Sequence, residues 1–484
     1  MSSEKARSYR NTALLAISSV INVVLSIIRN KIFALYLGPS GIGQFGILND
    51  FTSSLYSIGS MGVNNSGVQA VSKASVQGTD EVRRVYNTLL RIFTGVSLVL
   101  VAATLIFAGW ISEKLIADRS LATFLRIASI AVLFRFRSSI QSILIKGMGR
   151  VSLLAKGVIW QGVLTTVIAI VLVVALRGNA VPYLIISLGL GSWIITFYQS
   201  RKVAAELPRT NAHVPLKEFA PVIFLGLGSL WASVMESTVN LFSKSWIAHY
   251  FGKDYLGYYQ VAIGFTGMYI SFITTSISSD YYPRLVKKVD GGTKEVAEAV
   301  NQQIGISMAL IMPLLFIMLT FSKLFILVFF SEKFLAAAGL IGYNVAGTFI
   351  QVIAWPIAYV FLANRATKTY MFTESVGNLS MLALCFFAVR SGNFAYIGVA
   401  YVLHYVIYLI TIIIVFYRRF EGYILPENIK MFLVNASVIT LIIISKAFMS
   451  ETITYVVGSI LILAYFYASR KEYSFMINTI FRKR

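Results

Sequence analysis

The chain has 484 residues, of which 57% are hydrophobic and 13% charged, with a mean hydropathy of +0.75. That balance excludes a soluble globular protein and points to a polytopic membrane protein, with no interval long enough for a separate soluble domain. The net charge of +22 would suggest nucleic acid in a soluble chain, but its distribution excludes that partner here. Basic residues collect in alternate connections: Lys5, Arg7 and Arg10, then Lys73, Arg83 and Arg84, then Lys146, Arg150 and Lys156. The alternation continues through Arg201, Lys202, Arg209 and Lys217, through Arg284, Lys287 and Lys288, and through Arg365, Lys368, Arg418 and Arg419 to the tail. This positive-inside pattern places both termini in the cytoplasm and requires an even number of crossings.

Runs long enough to cross a hydrocarbon layer of roughly 30 Å begin at residues 13–37 and 43–63. They continue at 87–109, 121–145, 152–176, 180–200, 219–250, 256–279, 303–329, 335–363, 370–389, 395–417, 431–449 and 453–469. The expected fold is an all-α polytopic membrane protein of about fourteen transmembrane helices, since strands crossing a bilayer are shorter and alternate in polarity. The expected organisation is an N-terminal six-helix lobe over 1–205, a cytoplasmic linker over 206–217 and a second six-helix lobe over 218–420. Residues 421–484 add two further helices and a basic tail. The first apolar run has span length and no small-residue cleavage site, so a removable signal peptide is not expected. Cys385 is the only cysteine and lies in an apolar run, which excludes a disulfide within one chain.

The stretch from Arg29 to Gly46 is the most informative. Arg29 and Lys31 interrupt an apolar helix that then breaks at Gly38 and Pro39. A central Arg or Lys costs about 2.5 to 3.5 kcal/mol even on the lower scales, so these side chains should face protein or water. The pattern returns 214 residues later: Gly38 and Gly43 match Gly252 and Gly257, while Ala34, Tyr36, Phe51, Thr52, Ser57 and Lys73 match identical residues at the same offset. Chance alignment would give only two or three identities. Ser19, Asn22 and Ser26 align in the same way with Ser233, Glu236 and Asn240. Two parallel copies of one helical unit are expected, an arrangement that places a transporter's site between its repeats.

In the second copy Ser229, Ser233, Glu236, Asn240 and Lys244 recur every three or four residues and form one polar stripe. Asp50 lies in the second span, Arg91 near the start of the third, and Arg126, Arg135 and Arg137 in the fourth. Arg135 and Arg137 point about 200° apart on a helix, so only one can face a given cavity squarely. Pairing across helices, of Asp50 with Arg29 or of Glu236 with a cation from the first copy, is the structural alternative to a binding role. Cations nevertheless outnumber carboxylates within the spans, and the excess calls for water or an anionic ligand. Asp50, Glu236, Asp280 and Glu374 are the acids within or at the edge of spans and thus the candidates for binding a coupling ion, H⁺ or Na⁺. Other apparent motifs carry no chemistry. Gly41, Gly43 and Gly46 spell GxGxxG without a preceding strand, and His213, His249 and His404 lack ligand spacing. No other cofactor is expected, and no GxxxxGK[ST] loop is present.

The segment KIFALYLGPSGIGQFG at 31–46, preceded by a polar-lined span and followed by GVNNSGVQAVSKA at 62–74, resembles the start of O-antigen and other lipid-linked polysaccharide flippases. These belong to the multidrug, oligosaccharidyl-lipid and polysaccharide exporter superfamily. The resemblance is specific over the first 80 residues, and the hydropathy pattern extends it further. It implies two six-helix bundles flanking a cation-lined cavity that alternates between inward-open and outward-open states in a bacterial cytoplasmic membrane. The implied substrate is an oligosaccharide on undecaprenyl pyrophosphate, with membrane lipid and polysaccharide polymerase or assembly proteins as partners. Arg29, Lys31, Lys244, Arg91, Arg126, Arg135 and Arg137, with Asn22 and Asn240, are the expected contacts of the pyrophosphate and cavity. The extra helical pair resembles that of fourteen-span lipid II flippases, where it offers a groove for the polyprenyl tail. A drug antiporter of the same superfamily, a lipid II translocator and a membrane-embedded polymerase or ligase are the competing readings. The positive cavity disfavours the cationic substrates of drug antiporters. An enzyme is disfavoured by the lack of a convergent nucleophile, base and metal set.

Overall fold

The computed structural model describes residues 3–114, 118–224, 227–277, 281–468 and 470, and these are helical apart from turns and short connections. Ten helical segments among them are long and apolar enough to cross a membrane. The protein is a multi-pass membrane protein of the all-α class.

The chain divides into two compact units, Met1–Gly257 and Tyr258–Arg484. In the first, α1 (Ser3–Ser60) holds the first two expected spans, joined by a kink rather than a loop. Gly38 sits there at φ 66° and ψ −173°, a left-handed conformation that side chains disfavour, and Pro39 follows it. The missing amide N–H of proline costs nothing at the first turn of the resuming helix. Next come α2 (Val63–Gln77), α3 (Thr79–Lys114), α4 (Ala122–Gly147), α5 (Val151–Leu176) and α6 (Val181–Ala204). The unit is completed by α7 (Leu216–Phe224), α8 (Leu227–Phe251) and the first turn of α9 (Lys253–Ser276). Its core joins α3 and α4 through Val85, Leu89, Phe93, Phe136, Ile140 and Leu144, all buried. α5 packs against α1 and α6, and α8 lies along α1.

The repeat is visible in the backbone. Gly252, equivalent to Gly38, also has a left-handed φ of 96° and separates α8 from α9. Their partners Gly43 and Gly257 meet each other. A Cβ on Gly43 would lie 2.7 Å from the Lys253 carbonyl oxygen and 2.9 Å from the Gly257 nitrogen, and one on Gly257 would lie 2.1 Å from the Pro39 carbonyl oxygen. The turns of the two copies are therefore in backbone contact, which only glycine at these positions permits.

The second unit contains α10 (Tyr282–Val289), α11 (Thr293–Thr320), α12 (Ser322–Phe329), α13 (Ala338–Ala363), α14 (Thr367–Arg390) and α15 (Ala395–Phe420). α16 (Pro426–Phe448) and α17 (Glu451–Ala468) complete it. α13 is buried over most of its circumference and packs on α11 and α15. The last two helices dock on α11 through polar ties at both ends. Asn428 Nδ2 donates to Asn301 Oδ1 at 2.9 Å at one end, and Lys446 Nζ donates to the Leu319 carbonyl at 3.1 Å and to Ser322 Oγ at the other. Between them the Phe316 and Tyr465 rings meet edge to face at 5.0 Å.

Candidate functional site

The candidate site is a polar cluster inside the first unit, built by α1, α4 and α8. Asp50, on the second half of α1, receives Lys244 of α8: Nζ lies 2.5 Å from Oδ2. Their side chains are 17% and 6% exposed, so this pair is withdrawn from bulk solvent. No described residue hydrogen-bonds to that Asp50 oxygen, leaving the ammonium as its partner. Breaking such a pair by removing one member strands a buried charge, which typically costs about 3 to 5 kcal/mol. Ser54 reinforces the α1–α8 seam, donating to the Asp50 carbonyl at 2.8 Å and towards the Ser237 carbonyl at 3.4 Å.

One turn away Arg135 of α4 reaches α1 with both guanidinium arms, Nη1 to Ser53 Oγ and Nη2 to Asn49 Oδ1, each at 2.7 Å. It lies within electrostatic range of Asp50 and Tyr56. Tyr56 continues the network, donating at 2.7 Å to Asn64 Oδ1 or Ser139 Oγ, and Ser139 donates to Asn64 Oδ1 at 2.6 Å. Arg135 therefore has hydrogen-bond partners but forms no ion pair among the described residues.

The first half of α1 carries Arg29 and Lys31, both half-buried. Arg29 donates to Ser26 Oγ at 3.3 Å and forms no ion pair among the described residues. Counting along the axis, Arg29 and Asp50 lie about 14 and 18 Å from the Gly38 kink, and Lys244 about 12 Å from Gly252. All three therefore lie about two to three helical turns from the kinks. Asn22 is half-buried, with its Oδ1 close to where a Gly162 Cβ would stand, at the contact of α1 with α5. Asn240 is half-buried one turn before Lys244, and Glu236 one turn earlier still is exposed on α8. Glu236 forms no ion pair among the described residues, and Asp50 is within its electrostatic range. Neither pairing of the structural alternative, Asp50 with Arg29 or Glu236 with a cation, occurs among the described residues; Asp50 pairs with Lys244 instead.

The other expected site residues lie elsewhere. Arg91 is exposed and bound to the linker, donating to the Asn211 carbonyl at 3.3 Å with Nη1 2.8 Å from His213 Nδ1. Arg126 and Arg137 are exposed, and Arg137 is an electrostatic neighbour of Tyr86 on α3. The 200° separation from Arg135 explains that division. Glu374 lies in the second unit, where the Tyr408 hydroxyl donates to it at 2.6 Å. Asp280 lies outside the described residues, as does the side chain of Ser229. Sequence reasoning passed over Asn49, Ser53 and Tyr56. Their signal was a spacing of three to four residues around Asp50, which places them on one face of the second span. Among the described residues no group of His, Cys, Asp and Glu could hold a metal ion.

Chemically, Arg135 and Lys244 meet Asp50 in the cluster, and α1, α4 and α8 together carry Arg29, Lys31, Arg135 and Lys244 against Asp50 and Glu236, a surplus of cationic hydrogen-bond donors along these helices. Guanidinium and ammonium groups together suit a diphosphate, the first as a planar fork and the second as a point charge. The sequence profile of the polysaccharide biosynthesis protein family matches residues 32–339, a range that holds Arg135, Asp50, Glu236 and Lys244. No protein of curated function matches the sequence. Among solved structures, the chain is similar to the lipid II flippase MurJ in an inward closed conformation, at 15% identity and a TM-score of 0.73 over 95% of this chain and 99% of that one. It is also similar to an inward-facing multidrug resistance MATE family transporter of the MOP superfamily, at 12% identity and a TM-score of 0.65 over 82% and 97% of the two chains. A third is a MOP superfamily transporter from Pyrococcus furiosus, described by the reversed polarity of its binding pocket, at 13% identity and a TM-score of 0.56 over 89% and 95%. The fold of this chain is shared with the lipid II flippase MurJ and with MATE family transporters, and the chain belongs to the polysaccharide biosynthesis protein family.

Proposed function

We propose that the protein is a flippase that carries an oligosaccharide linked to undecaprenyl pyrophosphate from the cytoplasmic to the outer leaflet of a bacterial cytoplasmic membrane by alternating access. The observation that supports this reading is the surplus of Arg29, Lys31, Arg135 and Lys244 over Asp50 and Glu236 along α1, α4 and α8, in a chain of the polysaccharide biosynthesis family. A diphosphate supplies the negative charge the cluster lacks, and Lys244 is its natural first contact once the Asp50 carboxylate is displaced. Asp50 would hold Lys244 in the unloaded state, limiting the cost of an ammonium ion in the membrane. Glu236, exposed beside that pair, is the candidate to bind H⁺ or Na⁺ as Asp50 is released. Both termini on the cytoplasmic side follow from the loop charges, and a polysaccharide polymerase would receive the product. The same cationic surplus disfavours a drug antiporter.

Lipid II transport is a second reading favoured by a particular observation: the likeness to MurJ extends over 95% of this chain and so reaches the C-terminal helices. Complementation separates the two. The chain is expected to restore polysaccharide assembly in a strain lacking the oligosaccharide flippase and not to support growth of a strain lacking the lipid II flippase. Arg29→Ala and Arg135→Ala should reduce the rescue strongly while membrane levels stay near normal. Lys244→Ala should be paired with the double variant Lys244→Ala/Asp50→Ala, which restores charge balance without restoring the phosphate contact. Rescue by the double variant would remove Lys244 from substrate binding.

A further inference from the structure

At one end of the second unit α14 and α15 flank an open, groove-like cavity of about 320 Å³ lined by Lys368, Thr369, Phe372, Ile414, Val415, Arg418 and Arg419. The lining has two parts. Phe372 and Ile414 are 58% and 49% exposed, large apolar side chains on helices long and apolar enough to cross a membrane. Lys368, Arg418 and Arg419 form the other part, and none makes an ion pair with a described residue. Arg418 and Arg419 lie in the last turn of α15, where the helix dipole favours cations. Lys368 is placed the opposite way, in the first turn of α14, which has neither an acidic residue nor a side-chain cap. There the dipole and the ammonium repel each other, an arrangement that an anion would relieve. An independent observation comes from Thr369, which lines the cavity, is only 5% exposed, and has a hydroxyl without a hydrogen-bond partner.

We infer that this cavity binds the phosphodiester headgroup of an anionic membrane phospholipid, with an acyl chain lying along Phe372 and Ile414. The three cations and the Thr369 hydroxyl meet the phosphate oxygens, and the apolar wall selects a lipid over free phosphate. The loop charges place this end of the hairpin at the cytoplasmic leaflet, where anionic lipids meet basic pockets between helices. The site belongs wholly to the second unit and is separate from the cluster proposed to bind the transported molecule.

The test is native mass spectrometry of the full chain in detergent after exchange into phosphatidylglycerol or phosphatidylcholine, with thermal unfolding measured against added lipid. Wild type should retain phosphatidylglycerol selectively. K368Q/R418Q/R419Q should retain one molecule fewer per chain and need about tenfold more of this lipid for a half-maximal thermal shift. Thr369→Val should weaken retention less, and Lys287→Gln/Lys288→Gln, which removes basic charge from α10, should leave it unchanged. If the triple variant does not reach the membrane, Lys368→Gln alone should show a smaller loss in the same direction. Equal retention by wild type and these variants would overturn the site. Displacement of the lipid by inorganic phosphate would overturn the choice of a phospholipid, and so would preferential retention of undecaprenyl pyrophosphate.

Discussion

At the scale of single residues, charge placement follows depth. Lys244 and Asp50 neutralise each other where water is excluded, whereas Lys253 and Asp118, outside the spans, form an ion pair at 2.6 Å that stays partly solvated. Burial alone would raise the Asp118 carboxyl. The Lys253 ammonium and the Ser120 hydroxyl and N–H outweigh it and hold the group below its ordinary value. A carboxylate with a depressed folded-state pKa contributes stability that is fully present above its unfolded value of about 4 and is lost as pH falls through the lower folded value. Asp118→Asn should therefore lower the unfolding temperature at pH 7, with the gap to wild type closing below about pH 4. A gap that persists unchanged at pH 3 would show that the tie acts through packing instead. Because both partners are partly exposed, the effect should be small.

At the scale of elements, the repeat makes its strongest demand where its two turns touch. A methyl group on Gly257 would meet the Pro39 carbonyl carbon at 2.6 Å and its oxygen at 2.1 Å, backbone atoms that cannot rotate away. Gly257→Ala should destabilise the protein by about 1 to 3 kcal/mol, the usual range for forced overpacking, read as a lower unfolding temperature in detergent. Gly264→Ala, whose added methyl meets nothing within 4 Å, is the control and should stay close to wild type.

Much of this level was legible in the sequence because the demand falls on residue type: Gly38, Gly43, Gly252 and Gly257 recur at one offset since no other residue suits a left-handed kink or a backbone contact. The helices were legible from span-length apolar runs. α2 and α10 were not, since they are too short and polar to register as spans, although Lys73 and Lys287 already matched across the copies. The site was legible in part. Asp50, Lys244 and Arg135 stood out because charge in a bilayer is rare, but which cation meets which carboxylate depends on how α8 lies along α1. Arg91 looked equivalent to Arg135 by composition, and only the path of the linker, bringing Asn211 and His213 beside it, separates them.

At the scale of the whole molecule, the proposed transport, in a chain with no GxxxxGK[ST] loop, would draw its direction from an ion gradient or from consumption of the product. In proteoliposomes carrying an imposed proton or sodium gradient, Glu236→Gln should flip substrate at a rate the gradient no longer accelerates. Gradient stimulation equal to wild type would assign coupling to Asp50, Asp280 or Glu374. The central claim is that a polyprenyl diphosphate bearing sugars is the cargo and that the α1, α4 and α8 cations recognise its phosphates. It is tested most directly by a flipping assay with purified protein and fluorescent lipid-linked oligosaccharide, comparing a diphosphate linkage with an uncharged linkage to the same sugar and tail. The account predicts protein-dependent flipping of the diphosphate, little flipping of the uncharged analogue, and loss of that difference in Arg135→Gln. Equal flipping of both lipids, or transport of cationic dyes in their place, would contradict it.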